Sequence, residues 1–71
     1  MTQEEVIEYN EKVIRNIMIA LIKSELADPV RLITDKVYAS EQVMTYIHAA
    51  NITREMLHMP KLYLINIDEV D

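Results

Sequence analysis

Glu55 and His58 have the spacing in this chain that comes nearest to a metal-binding motif. They form an E-x-x-H sequence, which on a helix places two metal ligands on one face. Helical di-iron proteins use two such motifs and further glutamates, whereas this chain contains one. Cysteine is absent and only two histidines are present, so a closed zinc site has too few ligands. We therefore expect no metal and no other cofactor.

The remaining side chains that could do acid–base chemistry do not form a catalytic pattern. His48 and His58 have no serine–histidine–acid arrangement around them in the sequence. Glycine is absent, so a glycine-rich loop that holds phosphate cannot form. We therefore expect that the protein is not an enzyme and that its function lies in binding.

The size and composition of the chain favour self-association. Seventy-one residues form one domain at most, and chains this short usually need a disulfide, a metal or a partner. The hydrophobic fraction of 51% is high for a small protein, and without cysteine a partner is the means of stabilisation that remains. The net charge of -5, from 12 acidic and 7 basic residues, argues against broad, non-specific binding to nucleic acid.

The first predicted helix has more apolar surface than one chain can bury. Thr2 and Glu5 form a capping-box pattern, so we expect a long N-terminal dimerisation helix over residues 1–27. Between Val13 and Ile22 apolar residues cover more than one face, whereas a single buried stripe repeats only at i, i+3, i+4 and i+7. One face can serve the chain's own core, and the other would face a second copy. The predicted dimer interface comprises Val13, Ile14, Ile17, Met18, Leu21 and Ile22.

The rest of the chain predicts two further helices and a hairpin. Pro29 begins a short second helix that runs to about Val37, because proline suits the first helical position. Ser40 is the expected N-cap of a third helix that ends near Asn51. The β-forming segment Leu62–Ile67 needs a neighbouring strand, so we expect it to pair with residues 52–57 in a hairpin that turns near residue 60.

This order of elements resembles a known DNA-binding fold. From Ile33 the chain reads I-T-D-K-V-Y-A-S-E-Q-V-M-T-Y-I, followed by H-A-A-N-I-T-R-E and then K-L-Y-L-I-N-I-D. Over residues 29–68 the sequence resembles the winged helix-turn-helix domains of ArsR- and MarR-type repressors. The resemblance implies a single, mostly α domain over 1–71, with a helix-turn-helix over 29–51 and a small β-hairpin wing over 52–67, behind an extended N-terminal helix. The alternative fold is an all-α helical hairpin or bundle with a C-terminal strand.

The resemblance also implies a function, a small homodimeric transcriptional regulator that binds specific double-stranded DNA. On this interpretation Gln42, Thr45 and His48 enter the major groove. The DNA-binding set is completed by the cations Arg31, Arg54 and Lys61, of which the last two lie in the wing and contact phosphate. The predicted recognition helix carries no Arg or Lys, which favours a second hypothesis. That alternative is an acidic, non-enzymatic protein-interaction module, such as a virus- or plasmid-type regulator or inhibitor that binds a host protein.

The sequence further predicts a cytoplasmic protein that does not enter a membrane. The N-terminus is acidic, unlike that of a signal peptide. The longest apolar run, Ile17–Ile22, is far shorter than the roughly 18 residues that span a bilayer.

Overall fold

The computed structural model describes residues 1–70, so Asp71 lies outside the part of the chain that is described. Its helices are α1 (Gln3–Lys23), α2 (Pro29–Thr34) and α3 (Lys36–Met56), followed by a short 3-10 helix (Ile67–Glu69). The helices α1 and α3 are the two arms of a helical hairpin, and α2 lies in the connection between them.

The start of α1 is fixed by local hydrogen bonds, as the sequence predicts. The Glu5 amide donates to the Thr2 hydroxyl at 3.2 Å, and the Thr2 amide donates to the Glu5 carboxylate at 3.1 Å. The capping box is therefore confirmed. The helix ends at Lys23, short of the expected residue 27, because Glu25 takes a left-handed conformation with φ 58°. The Leu26 amide then donates to the carbonyl of Leu21, which closes the helix in a Schellman motif.

The boundary between α2 and α3 differs from the predicted one. Asp28 caps α2 at the expected place, since its carboxylate accepts from the Val30 amide at 2.9 Å. Asp35, rather than Ser40, caps α3, because its carboxylate accepts from the amide of Tyr38 at 2.9 Å. The helix α3 begins at Lys36 and contains Tyr38, so the predicted break between a second helix ending near Val37 and a third helix capped by Ser40 is wrong.

The predicted wing is also wrong, and with it the winged helix-turn-helix fold. Residues 52–56 belong to α3, and no strand occurs among residues 1–70. Helix continues there because residues such as Arg54, Glu55 and Met56 are good helix formers, and a helix satisfies its backbone hydrogen bonds locally. The alternative, an all-α helical hairpin, has the observed architecture, but the C-terminal strand that it included is missing from the described chain.

The molecule is a thin plate with a small core. The core contains Ile17 and Leu21 of α1, Leu32 of α2, and Val43 and Ile47 of α3. The extents are 38 × 33 × 15 Å, and the radius of gyration is 13.1 Å, against about 11 Å for a compact domain of this length. A plate 15 Å thick holds one layer of helices, so each helix keeps at least one face uncovered.

Within residues 1–70, no helix combines the length and the apolar character needed to cross a membrane.

Candidate interaction surface

The outer side of α1 carries an apolar groove bounded by two ridges. One ridge is the row Ile14–Met18–Ile22, and the other is the row Glu11–Arg15–Ile19. Residues four apart form such rows on any α-helix, and helices pack by placing the ridge of one into the groove of another. The groove between the two rows has a volume of about 400 Å³. It is therefore shaped to accept a row of side chains from a second helix.

A second groove lies on the other side of the Ile14–Met18 row, between α1 and α3. Its volume is about 480 Å³, and its walls come from Ala39, Val43 and Met44 as well as from the shared ridge. Lys36 and Ser40 are the polar residues in its lining, together with the apolar Leu32 and Leu64. Because the two grooves share Ile14 and Met18, they form one continuous apolar surface. We call it the α1 face, defined by Ile14, Met18, Ile19, Ile22 and Met44.

The residues predicted for the dimer interface divide between the core and this face. Ile17 and Leu21 are 4% and 3% exposed inside the chain's own core, so neither is free to meet a second copy. Val13 packs partly against the same core. The remaining three, Ile14, Met18 and Ile22, line the α1 face, and of these Ile14 and Met18 are half-buried and also pack against the core.

Ile19, which the sequence prediction omitted, is 44% exposed on that face. The row of residues four apart that contains Ile19 is the sequence signal that identifies it.

The predicted base-reading residues share one side of α3. Gln42, Thr45 and His48 follow one another at three-residue intervals, which places them along a common strip of the helix. Thr45 and His48 are exposed, and Gln42 is half-buried. The strip is solvated, but a DNA interface also needs cations beside it.

Each of the three cations predicted to contact DNA makes one contact within the chain. The guanidinium of Arg31 lies 3.9 Å from the centre of the Tyr38 ring, near the start of α3. Arg54, near its end, donates to the Pro60 carbonyl at 3.0 Å, and the Lys61 ammonium lies 3.9 Å from the Glu55 carboxylate.

At 1.5 Å per residue, the stretch of helix from Tyr38 to Arg54 is about 24 Å long. The contact of Arg31 with Tyr38 is therefore separated from Arg54 and Lys61 by most of the length of α3.

The E-x-x-H spacing does not produce a pair of ligands on one helical face. The helix α3 ends at Met56, and His58 takes a left-handed conformation with φ 55° beyond the end. Glu55 faces Lys61, as described above. In the described part of the chain, no group of three acidic or histidine side chains is placed to hold a metal ion.

Residues 60–66, which we call the C-terminal arm, are attached to the helices by two asparagines. The side-chain amide of Asn51 donates from its nitrogen to the backbone carbonyl of Leu62 at 2.8 Å. Its oxygen accepts from the backbone N–H of Leu62 at 2.7 Å. Asn10 makes the same pair of hydrogen bonds to Ile65, at 2.8 Å and 2.9 Å. These side chains satisfy backbone groups that an adjacent strand would otherwise satisfy, which is why this β-forming segment needs no strand partner.

Side chains of the arm also pack on the helices. Leu62 and Leu64 pack against the core, and Leu64 forms one wall of the open groove between α1 and α3. The ring of Tyr63 lies 5.9 Å from that of Tyr9 between ring centres. Burial raises the pKa of Tyr9 above its ordinary value. The arm therefore covers part of the trough between α1 and α3 and leaves the rest open.

Comparisons with protein-family models, with curated protein sequences and with solved structures found no match to this chain.

Proposed function

We propose that the protein is a non-enzymatic interaction protein that acts as a homodimer, with the α1 face as the dimer interface. The observation that carries this proposal is an excess of exposed surface. A compact monomer of 8.3 kDa exposes about 4,600 Å² by the usual scaling with mass, whereas this chain exposes 5719 Å². The excess is on the order of 1,100 Å², and each side of a stable protein interface buries roughly 800 Å². The excess exposed surface of the chain is therefore large enough to form one side of a dimer interface.

The shape of the α1 face supports a second copy of the chain as the occupant. The row Ile14–Met18–Ile22 is a ridge, and the groove beside it accepts such a ridge. Ridge and groove lie on the same helix, so two copies related by a two-fold axis can each insert a ridge into the other's groove. This self-complementarity is what a two-fold interface requires.

Charge favours an antiparallel arrangement of the two α1 helices. The acidic residues of α1 lie in its first half, at Glu4, Glu5, Glu8 and Glu11. Its last turn contains the cation Lys23. A two-fold axis near Met18 directs the Lys23 end of each copy toward the acidic half of the other and opposes the two helix dipoles. In that arrangement Ile14 of one copy lies opposite Ile22 of the other.

Disulfide trapping tests both the dimer and its direction, because the chain has no cysteine of its own. Ile14→Cys and Ile22→Cys variants, made with tags of different size, are mixed and oxidised. An antiparallel dimer gives a disulfide between the two variants, and Met18→Cys, near the axis, cross-links with itself. The matched control is Ile33→Cys on α2, where the side chain is 76% exposed and lies outside the α1 face.

Two results would overturn the proposal. One is a wild-type chain that sediments as a monomer at micromolar concentration. The other is a Met18→Cys variant that cross-links no faster than the Ile33→Cys control. Sequence-specific DNA binding and a cytoplasmic location stay predictions from the sequence, and selection from random DNA pools tests the first of them.

A further inference from the structure

We infer that Met44 is a redox-sensitive modification site, at which oxidation of the thioether to the sulfoxide by a peroxide dissociates the homodimer. The inference rests on the proposed dimer and adds its regulation. It depends on the position of this side chain on the α1 face and on the chemistry of sulfur.

Met44 is placed differently from the other methionines of the chain. It lines the groove between α1 and α3, and it is 54% exposed in the single chain. Met18 lines the same groove but is half-buried and packs against the core. The other three line neither groove of the α1 face, and they are Met1, Met56 and Met59. Met44 is therefore the methionine that is open to solvent in the monomer and covered in the proposed dimer.

Peroxide oxidation of Met44 changes one side chain and leaves the backbone unaltered. A peroxide transfers one oxygen atom to the thioether: the O–O bond breaks, an S–O bond forms, the sulfur is oxidised by two electrons, and hydrogen peroxide is reduced to water. The chain has no cysteine, so no thiol competes for the oxidant. Methionine sulfoxide reductases restore the thioether, which makes the modification reversible.

The sulfoxide opposes association because the surface around Met44 is largely apolar. The lining of the groove includes Ile14, Val43 and Leu64, and its polar residues are Lys36 and Ser40. In the monomer the sulfoxide oxygen is hydrated, and covering it in the dimer removes that water. A two-fold axis repeats the site, so both copies lose hydrogen bonds to water at once. We therefore expect the dimer to weaken by at least about tenfold.

The dependence of the oxidation rate on protein concentration tests whether the dimer covers Met44. Hydrogen peroxide reaches Met44 in the monomer, so its oxidation should be about fivefold slower at a total concentration tenfold above the dimer Kd than far below that Kd. Met56, on the same helix, is 76% exposed and lies outside the α1 face, so its rate should not change. Peptide mass spectrometry measures both rates in one sample. The same concentration dependence at Met44 and Met56 would overturn the inference.

Two substitutions separate Met44 from the other methionines. Met44→Gln introduces a polar side chain without oxidant and should weaken the dimer by at least about tenfold in sedimentation equilibrium. Met56→Gln, the same change outside the α1 face, should leave the affinity unchanged. Met44→Leu removes the sulfur and keeps an apolar side chain, so peroxide treatment that weakens the wild-type dimer should leave this variant dimeric. An equal loss of affinity in peroxide-treated wild type and Met44→Leu would assign the effect to another methionine and overturn the site.

Failure of this inference is distinguishable from failure of the proposed dimer. A wild-type chain that is monomeric before oxidation contradicts the dimer and, with it, the modification site. A dimer whose affinity is the same with Met44 as thioether and as sulfoxide contradicts only the modification site. Circular dichroism of the oxidised monomer should show intact helices, since Met44 is not a core residue. Loss of the helical signal on oxidation would assign dissociation to unfolding and would also overturn the inference.

Discussion

Truncation of Ile19 tests the α1 face at a position where the fold itself loses little. Ile19 is 44% exposed, and complete burial of an isoleucine side chain contributes about 1.5–3 kcal/mol. Burial of the exposed part of Ile19 in a dimer therefore stabilises the dimer by about 0.7–1.3 kcal/mol per copy, or about 1.3–2.6 kcal/mol for the two copies. Since about 1.4 kcal/mol corresponds to tenfold in affinity, Ile19→Ala should weaken the dimer by roughly 10- to 80-fold.

The assay is sedimentation equilibrium over a range of concentrations, with circular dichroism to check that the monomer stays folded. Alanine is the best helix former, so α1 should remain intact. Ile33→Ala, the same change at a side chain that is 76% exposed on α2, should leave the dimer affinity unchanged. Ile17→Ala, at a core position, should instead lower the free energy of unfolding by about 2–5 kcal/mol. Dimer affinity that is equal in the Ile19→Ala and Ile33→Ala variants would refute the assignment of the interface.

Two further predictions concern the ends of the helices. His58→Gly should raise the free energy of unfolding by about 1 kcal/mol, because φ 55° is costly for a residue with a Cβ. His48→Gly in the middle of α3 should lower that free energy by a similar amount in the same urea titration, and stabilisation by both changes would contradict the explanation. The hydrogen bond from the Thr2 backbone amide, and after it the one with the Thr2 side chain, lower the pKa of Glu5. The contribution of Glu5 to stability is therefore present above its ordinary pKa and is lost as the pH falls through the lowered pKa. Thr2→Ala removes the hydroxyl and keeps the backbone amide, so it should raise the pKa of Glu5 part of the way toward its ordinary value in an NMR titration, and an unchanged pKa would count against the hydroxyl as a cause.

The sequence correctly predicted the helix starts whose capping hydrogen bonds join residues close to one another in the chain. Thr2 and Glu5 exchange hydrogen bonds across three residues, and Asp28 caps the helix that Pro29 begins. Such interactions depend on local conformation, so the residue types identify them. The start of α3 was predicted wrongly because both Asp35 and Ser40 are suitable caps, and the sequence alone did not decide between them.

The sequence by itself determined that α1 has too many apolar faces for one chain, since that follows from composition and helical period. Only the tertiary structure decided that Ile17 and Leu21 turn inward while Ile19 and Ile22 stay exposed, because that depends on where α2 and α3 pack. The same holds for the final segment, whose β propensity wrongly suggested a strand partner. Its backbone hydrogen bonds go to Asn51, and to Asn10 at 55 residues' separation. A contact over that distance is created by folding, and no local pattern of residues encodes it.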